Sequence, residues 1–122
     1  MTLHSGSRTM ACLAAAGAVL AALAIGLSAY AAHGVVDAHA RGNLQTASLY
    51  AFGHGVALAV LAPAASRRLQ RLALAGLLLG TGLFAGSLAA GALLGWPTRL
   101  APFGGTLLMA SWLLYAIGVA RR

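Results

Sequence analysis

The sequence predicts an all-α polytopic membrane protein: an antiparallel bundle of four transmembrane helices with the N- and C-termini cytoplasmic. Of its 122 residues 61% are hydrophobic and 7% charged, with a mean hydropathy of +0.87, and the charges lie near the chain ends or between four uncharged apolar runs. Soluble domains carry about 25% charged residues, so water is not the main solvent here. The near-continuous Leu/Ala runs lack the alternation of a transmembrane barrel, which leaves helices to satisfy the backbone in lipid. One transmembrane domain over residues 1–122 is expected.

The four runs cover residues 10–32, 44–65, 72–95 and 102–120, roughly 28 to 36 Å each as helices, close to the hydrocarbon thickness. The first follows Arg8 and ends near Ala29-Tyr30-Ala31, which resembles a secretory signal with its cleavage site. Its apolar stretch exceeds the roughly 7–15 residues of such a signal, so an uncleaved span is expected. Ala14, Ala18 and Ala22 repeat along it at four-residue spacing. The second run carries Pro63 near its inner end. In the third, Gly82, Gly86 and Ala90 repeat every four residues, with Gly76 and Gly80 another such pair one turn earlier. Small residues so spaced let helix backbones approach closely, and Gly82, Gly86 and Ala90 are the expected packing positions. Pro97 and Pro102 bracket the link to the fourth run. The links, residues 33–43, a turn around the Arg67/Arg68/Arg71 cluster, and one through Gly95-Trp96-Pro97, are short enough to make sequential helices antiparallel neighbours.

Arg8, Arg67, Arg68, Arg71, Arg121 and Arg122 share one side of four spans, against Arg41 and Arg99 on the other. The positive-inside rule places the first side in the cytoplasm. Tyr30 and Trp96 fall at the outer boundary, which suits rings that prefer the headgroup layer.

Several function classes are poorly supplied. Cys12 is the single cysteine, so there is no intramolecular disulfide and no Cys/His metal framework; it packs as a small hydrophobe. The net charge of +7 comes from arginines that flank spans without interleaved aromatics, which points to anionic membrane lipids and away from nucleic acid. Asp37 is the only carboxylate side chain, and there is no phosphate loop, HExxH or identifiable Ser/His/Asp set. No catalytic residue, metal or cofactor is expected.

Two polar groups stand out. Asn43, Thr46, Tyr50 and His54 are spaced three, four and four apart, which puts them on one helical face. With a helix starting near Asn43, His54 lies about 16 Å in, near the bilayer midplane, where an ionisable residue faces the bundle interior and is a functional candidate. Two readings stand: a functional group, or a neutral imidazole bonded to a neighbouring helix, with Thr81 and Ser111 at similar depths. At the outer end of the first helix His33 precedes Gly34, a candidate C-terminal cap, and Asp37 and Arg41 follow at i+4 and i+8. A short interfacial helix would join His33, Asp37 and Arg41 in one cluster. His4 and His39 read as exposed. Axial His33 and His54 on one haem are not expected, because their heights differ by more than about 10 Å while two nitrogens on one iron sit about 4 Å apart. His54 paired with its copy in a dimer stays open.

Ala31-Ala32-His33-Gly34, Leu44-Gln45-Thr46-Ala47-Ser48-Leu49-Tyr50 with His54, Gly82-Leu83-Phe84-Ala85-Gly86-Ser87, and Ala101-Pro102-Phe103-Gly104-Gly105 with Trp112 together resemble domain-of-unknown-function family 423. That family comprises small bacterial inner-membrane proteins related to eukaryotic transmembrane protein 256. The resemblance implies four membrane helices in the bacterial inner membrane and brings no established activity. The chain departs from the usual form at Ala29-Tyr30-Ala31, where Phe-Gly often precedes Ala-His-Gly, at Phe52-Gly53, and at Ala85.

The leading expectation is a non-enzymatic accessory or assembly subunit of a larger membrane complex, with a protein partner in the membrane or a second copy docking on the Gly/Ala faces. The alternatives are an oligomeric small-molecule or proton channel or transporter lined by the stripe ending at His54, and a haem- or metal-binding membrane subunit.

Overall fold

Side-chain caps set where the second and third helices begin. A computed structural model describes residues 2–121 and contains α1 (Thr2–Gly34), α2 (Ala38–Leu61), a 3-10 turn (Ala62–Ala64), α3 (Arg68–Leu94) and α4 (Ala101–Ala120). All four α-helices are long and apolar enough to cross a membrane, and no strand occurs among the described residues. The chain is an all-helical, multi-pass membrane protein.

α2 starts at Ala38, earlier than the apolar run at residue 44 suggests. Asp37 is its N-cap, and the Asp37 carboxylate accepts the Ala40 N–H at 2.8 Å, satisfying a donor that the first turn leaves open. The polar Arg41-Gly42-Asn43 segment is therefore helical, and the link to α1 shrinks to residues 35–37. Gly34 does not serve as a left-handed cap: it closes α1 in helical conformation, and the one positive-φ glycine among the described residues is Gly95 (φ 71), which caps α3 and donates its N–H to the Gly91 carbonyl. Arg41 meets the end of α1 instead, donating from Nε and Nη2 to the Val35 carbonyl at 3.0 and 2.6 Å.

At the opposite end Pro63, which has no N–H to continue the ladder, lies in the 3-10 turn after α2. The turn back into α3 is held by Gln70, a polar residue left 2% exposed. Its Oε1 accepts the N–H groups of Ser66 and Arg67, both at 3.2 Å. Gln70→Leu removes that acceptor in a buried turn, and a loss of about 1–2 kcal/mol is expected, read as a lower unfolding midpoint in detergent; an unchanged midpoint would show that the cap is dispensable.

The buried positions repeat with a 3-4 spacing. On α1 they run Met10, Leu13, Gly17, Ala24 and Ala31, with half-buried Leu20 and Leu27 between; on α2 Leu44, Ser48, Ala51, Gly55 and Leu58; on α4 Ala101, Gly104, Leu108, Ser111 and Gly118. This 3-4 spacing is that of knobs-into-holes seams between neighbouring helices. The closest approaches are made by glycine. A Cβ on Gly17 would stand 2.5 Å from the Gly55 carbonyl oxygen, and one on Gly55 would stand 2.6 Å from that of Gly17. Gly80 and Gly104 face one another in the same way between α3 and α4, and Ser111 fills the space over Gly76.

The expected packing residues Gly82, Gly86 and Ala90 are not part of these seams. Gly82 and Gly86 have nothing within 4 Å of a would-be Cβ, and Ala90 is half-buried. Gly80 and Gly82 are two residues apart, which turns them about 200° around the helix axis, so the neighbouring pair Gly76/Gly80 packs while Gly82/Gly86 looks away. On α1, Ala18 and Ala22 are likewise exposed. The helices pack in chain order, α1 on α2, α2 on α3 and α3 on α4, with little contact between α1 and α3, and among the described residues α1 and α4 do not form a packed pair. The row stays open.

Candidate functional site

His54 lies three residues beyond the midpoint of the Ala38–Ala64 span, about 4.5 Å along the axis, and Trp112 sits at nearly the same level of α4. The α2 and α4 backbones are not a packed pair, but these side chains bridge the gap: the Trp112 indole N–H donates to His54 Nε2 at 3.0 Å. On the other side of the ring, His54 Nδ1 lies 2.8 Å from the Tyr50 carbonyl oxygen. Indole can only donate and a carbonyl can only accept. The imidazole is therefore neutral, with its proton on Nδ1, and both nitrogens are engaged.

Aromatic rings surround this bond. Tyr50 stacks on His54 (centroids 6.0 Å, planes 11° apart) and meets Phe84 of α3 edge-on at 4.8 Å, while Trp112 meets Tyr115 edge-on at 6.1 Å. These separations fall in the range of favourable ring pairs. The cluster ties three helices together at mid-span, on the outer flank of the row; Tyr50 and Trp112 are 40% and 38% exposed.

The polar stripe of α2 thus exists as a face, but it does not point into the interior. The buried face of α2 is Leu44, Ala47, Ser48, Ala51, Gly55 and Leu58. Asn43 and Thr46 are half-buried; Asn43 opens on a shallow cavity of about 470 Å³ beside Asp37, His39 and Trp96. Thr81 and Ser111 do not partner His54: the Thr81 hydroxyl donates back to the Leu77 carbonyl at 2.6 Å, and Ser111 is buried against Gly76. The partner is the residue after Ser111.

His33, Asp37 and Arg41 are close in sequence but not joined. Asp37 caps α2 and Arg41 holds Val35, and among the described residues no ion pair links them to each other or to exposed His33. The break at residues 35–37 removes the continuous helix that would have aligned them. The side chain of His4, and Arg122, lie outside the described residues. Among the described residues no group of three or more His, Cys, Asp or Glu could hold a metal ion.

Sequence reasoning missed Trp112, Phe84, Tyr115 and Gln70 as structural partners. Trp112 could have been found, because an indole N–H at mid-span needs an acceptor and His54 is an ionisable side chain at that level.

No solved structure matches this one. The chain belongs to the family described as proteins of unknown function, DUF423, whose sequence model matches residues 27–105.

Proposed function

We propose that this member of the DUF423 family is a non-enzymatic accessory or assembly subunit of a larger membrane complex, and that the uncovered glycine face of α3 receives a transmembrane helix of a partner. The observation that carries the reading is the open row. Among the described residues α1 and α4 do not close on each other, Gly82 and Gly86 stay bare, and an apolar groove of about 590 Å³ runs beside Gly86, with Leu23 and Leu27 of α1 on one wall, Ala47 and Ala51 on the floor and Gly86 and Ala89 on the other wall. Without a hydrophobic drive between helices in lipid, such small-residue surfaces are where close helix packing is gained. The links between the helices are short and offer no soluble domain among the described residues.

The engaged imidazole supports this reading over transport or haem binding. His54 Nε2 would have to release Trp112 before it could bind iron or pass on a proton. By the distribution of arginines we place both termini, with the Arg67/Arg68/Arg71 end of the row, in the cytoplasm of a bacterial inner membrane.

Gly82→Leu combined with Gly86→Leu should abolish co-extraction of the partner in mild detergent and leave the unfolding midpoint unchanged. Native mass spectrometry reads both species, including a homo-oligomer. Retention of the partner by the double variant, or extraction of the wild type as an isolated monomer, would sink the reading.

A further inference from the structure

We propose that the end of the row formed by the start of α1 and the turn into α3 is a binding site for one anionic phospholipid, with Arg71 as the ligand of its phosphate. The two structurally engaged arginines invite comparison. Arg41 at the far end donates through Nε and Nη2 to a backbone carbonyl. Arg71 is half-buried, and its Nε is fully enclosed with no hydrogen-bond partner. Its guanidinium folds over the first turns of α1, where a Cβ on Gly6 would stand 2.6 Å from Nη1.

A partly enclosed cation without a counter-charge is costly, and among the described residues no carboxylate side chain stands near it. Asp37, the protein's only one, caps α2 at the opposite end of the row. Arg67 and Arg68 stand one turn away in sequence and add to the positive field. An external anion on the cavity side of the guanidinium, at its terminal nitrogens, would balance that charge.

The shape beside Arg71 says which anion. A cavity of about 610 Å³ lies between α1 and the turn after α2, polar at Ser7, Ser66 and Arg71 and apolar at Met10, Ala11 and Pro63. A free phosphate would leave the apolar walls unfilled, whereas a phospholipid puts its phosphate on the guanidinium and the first part of an acyl chain along Met10 and Ala11. Guanidinium and phosphate match in a two-pronged, charge-assisted hydrogen-bond geometry. This site lies at a different place from the glycine face of α3, and its test does not depend on a protein partner.

Protein delipidated in neutral detergent is titrated with a phosphatidylglycerol and, separately, with a phosphatidylcholine of the same chains, and bound lipid is counted by native mass spectrometry. The expected result is at least about tenfold tighter binding of phosphatidylglycerol, lost in Arg71→Gln and kept in Arg99→Gln at the other end. Ala11→Phe, which fills the cavity from an exposed position and leaves Arg71 in place, should lose the lipid as well, so the proposal stays testable if the arginine variant does not fold. Equal binding of the two lipids, undiminished binding by Arg71→Gln or by Ala11→Phe, or displacement of the lipid by equimolar inorganic phosphate would overturn it.

Discussion

Gly55→Leu is expected to separate α1 from α2 and to cost the fold about 3 kcal/mol, the upper end of what overpacking usually costs. The reason is that nothing near Gly55 can swing aside. Its would-be Cβ stands 2.6 Å from the Gly17 carbonyl oxygen and 2.9 Å from the Ala21 nitrogen, both backbone atoms. The helices themselves must part, and dispersion contacts are then lost along the whole seam from Leu13 to Ala24. Gly17→Leu should behave the same way, since its Cβ would meet the Gly55 oxygen and the Leu58 Cβ at 2.5 and 2.6 Å. Gly53→Leu, two residues from Gly55 and facing open space, is the control and should leave stability unchanged. Unfolding in mixed micelles of increasing sodium dodecyl sulfate measures all three. A wild-type midpoint for Gly55→Leu would mean that α1 and α2 do not cross at these glycines.

The second large effect is expected at the bond between His54 and Trp112. In hydrocarbon neither lipid nor water replaces a lost partner, so His54→Phe strands the indole N–H, and Trp112→Phe strands Nε2. Each should cost about 1–3 kcal/mol. The double variant should be more stable than the sum of the single losses predicts, by a coupling of about 1 kcal/mol, within the range measured for hydrogen bonds between membrane helices. Trp96 and Trp112 are the only tryptophans. With Trp96→Phe as background, the emission of Trp112 reports the bond directly and should shift to the blue in His54→Phe. Strictly additive losses, with no spectral shift, would remove this bond from the account of the fold.

These two sites were legible to different degrees. His54 stood out because an ionisable side chain in the middle of an uncharged span has few neutral explanations. Its bland reading, a neutral imidazole bonded to a neighbouring helix, matches the observed geometry, although the partner is Trp112 and not Thr81 or Ser111. The stripe from Asn43 to His54 was visible as a face, but its direction was not. Gly17 and Gly55 drew no notice at all, because each is one glycine among sixteen and neither belongs to a four-residue glycine repeat.

What the sequence determined by itself is the number of spans, their helical nature and the end of the row at which the arginines gather. Those follow from the length and apolarity of each run and from the exclusion of charge from lipid. What only the tertiary structure decided is which face of each helix packs: Gly76/Gly80 and not Gly82/Gly86 on α3, and on α1 the Gly17 seam, which takes Ala14 of the four-residue alanine line but leaves Ala18 and Ala22 outside. In water a core face is marked by contrast with a polar one. In lipid the outward residues, such as Leu23, Leu79 and Leu113, are as apolar as the inward ones, so that contrast vanishes, and close packing alone selects the face.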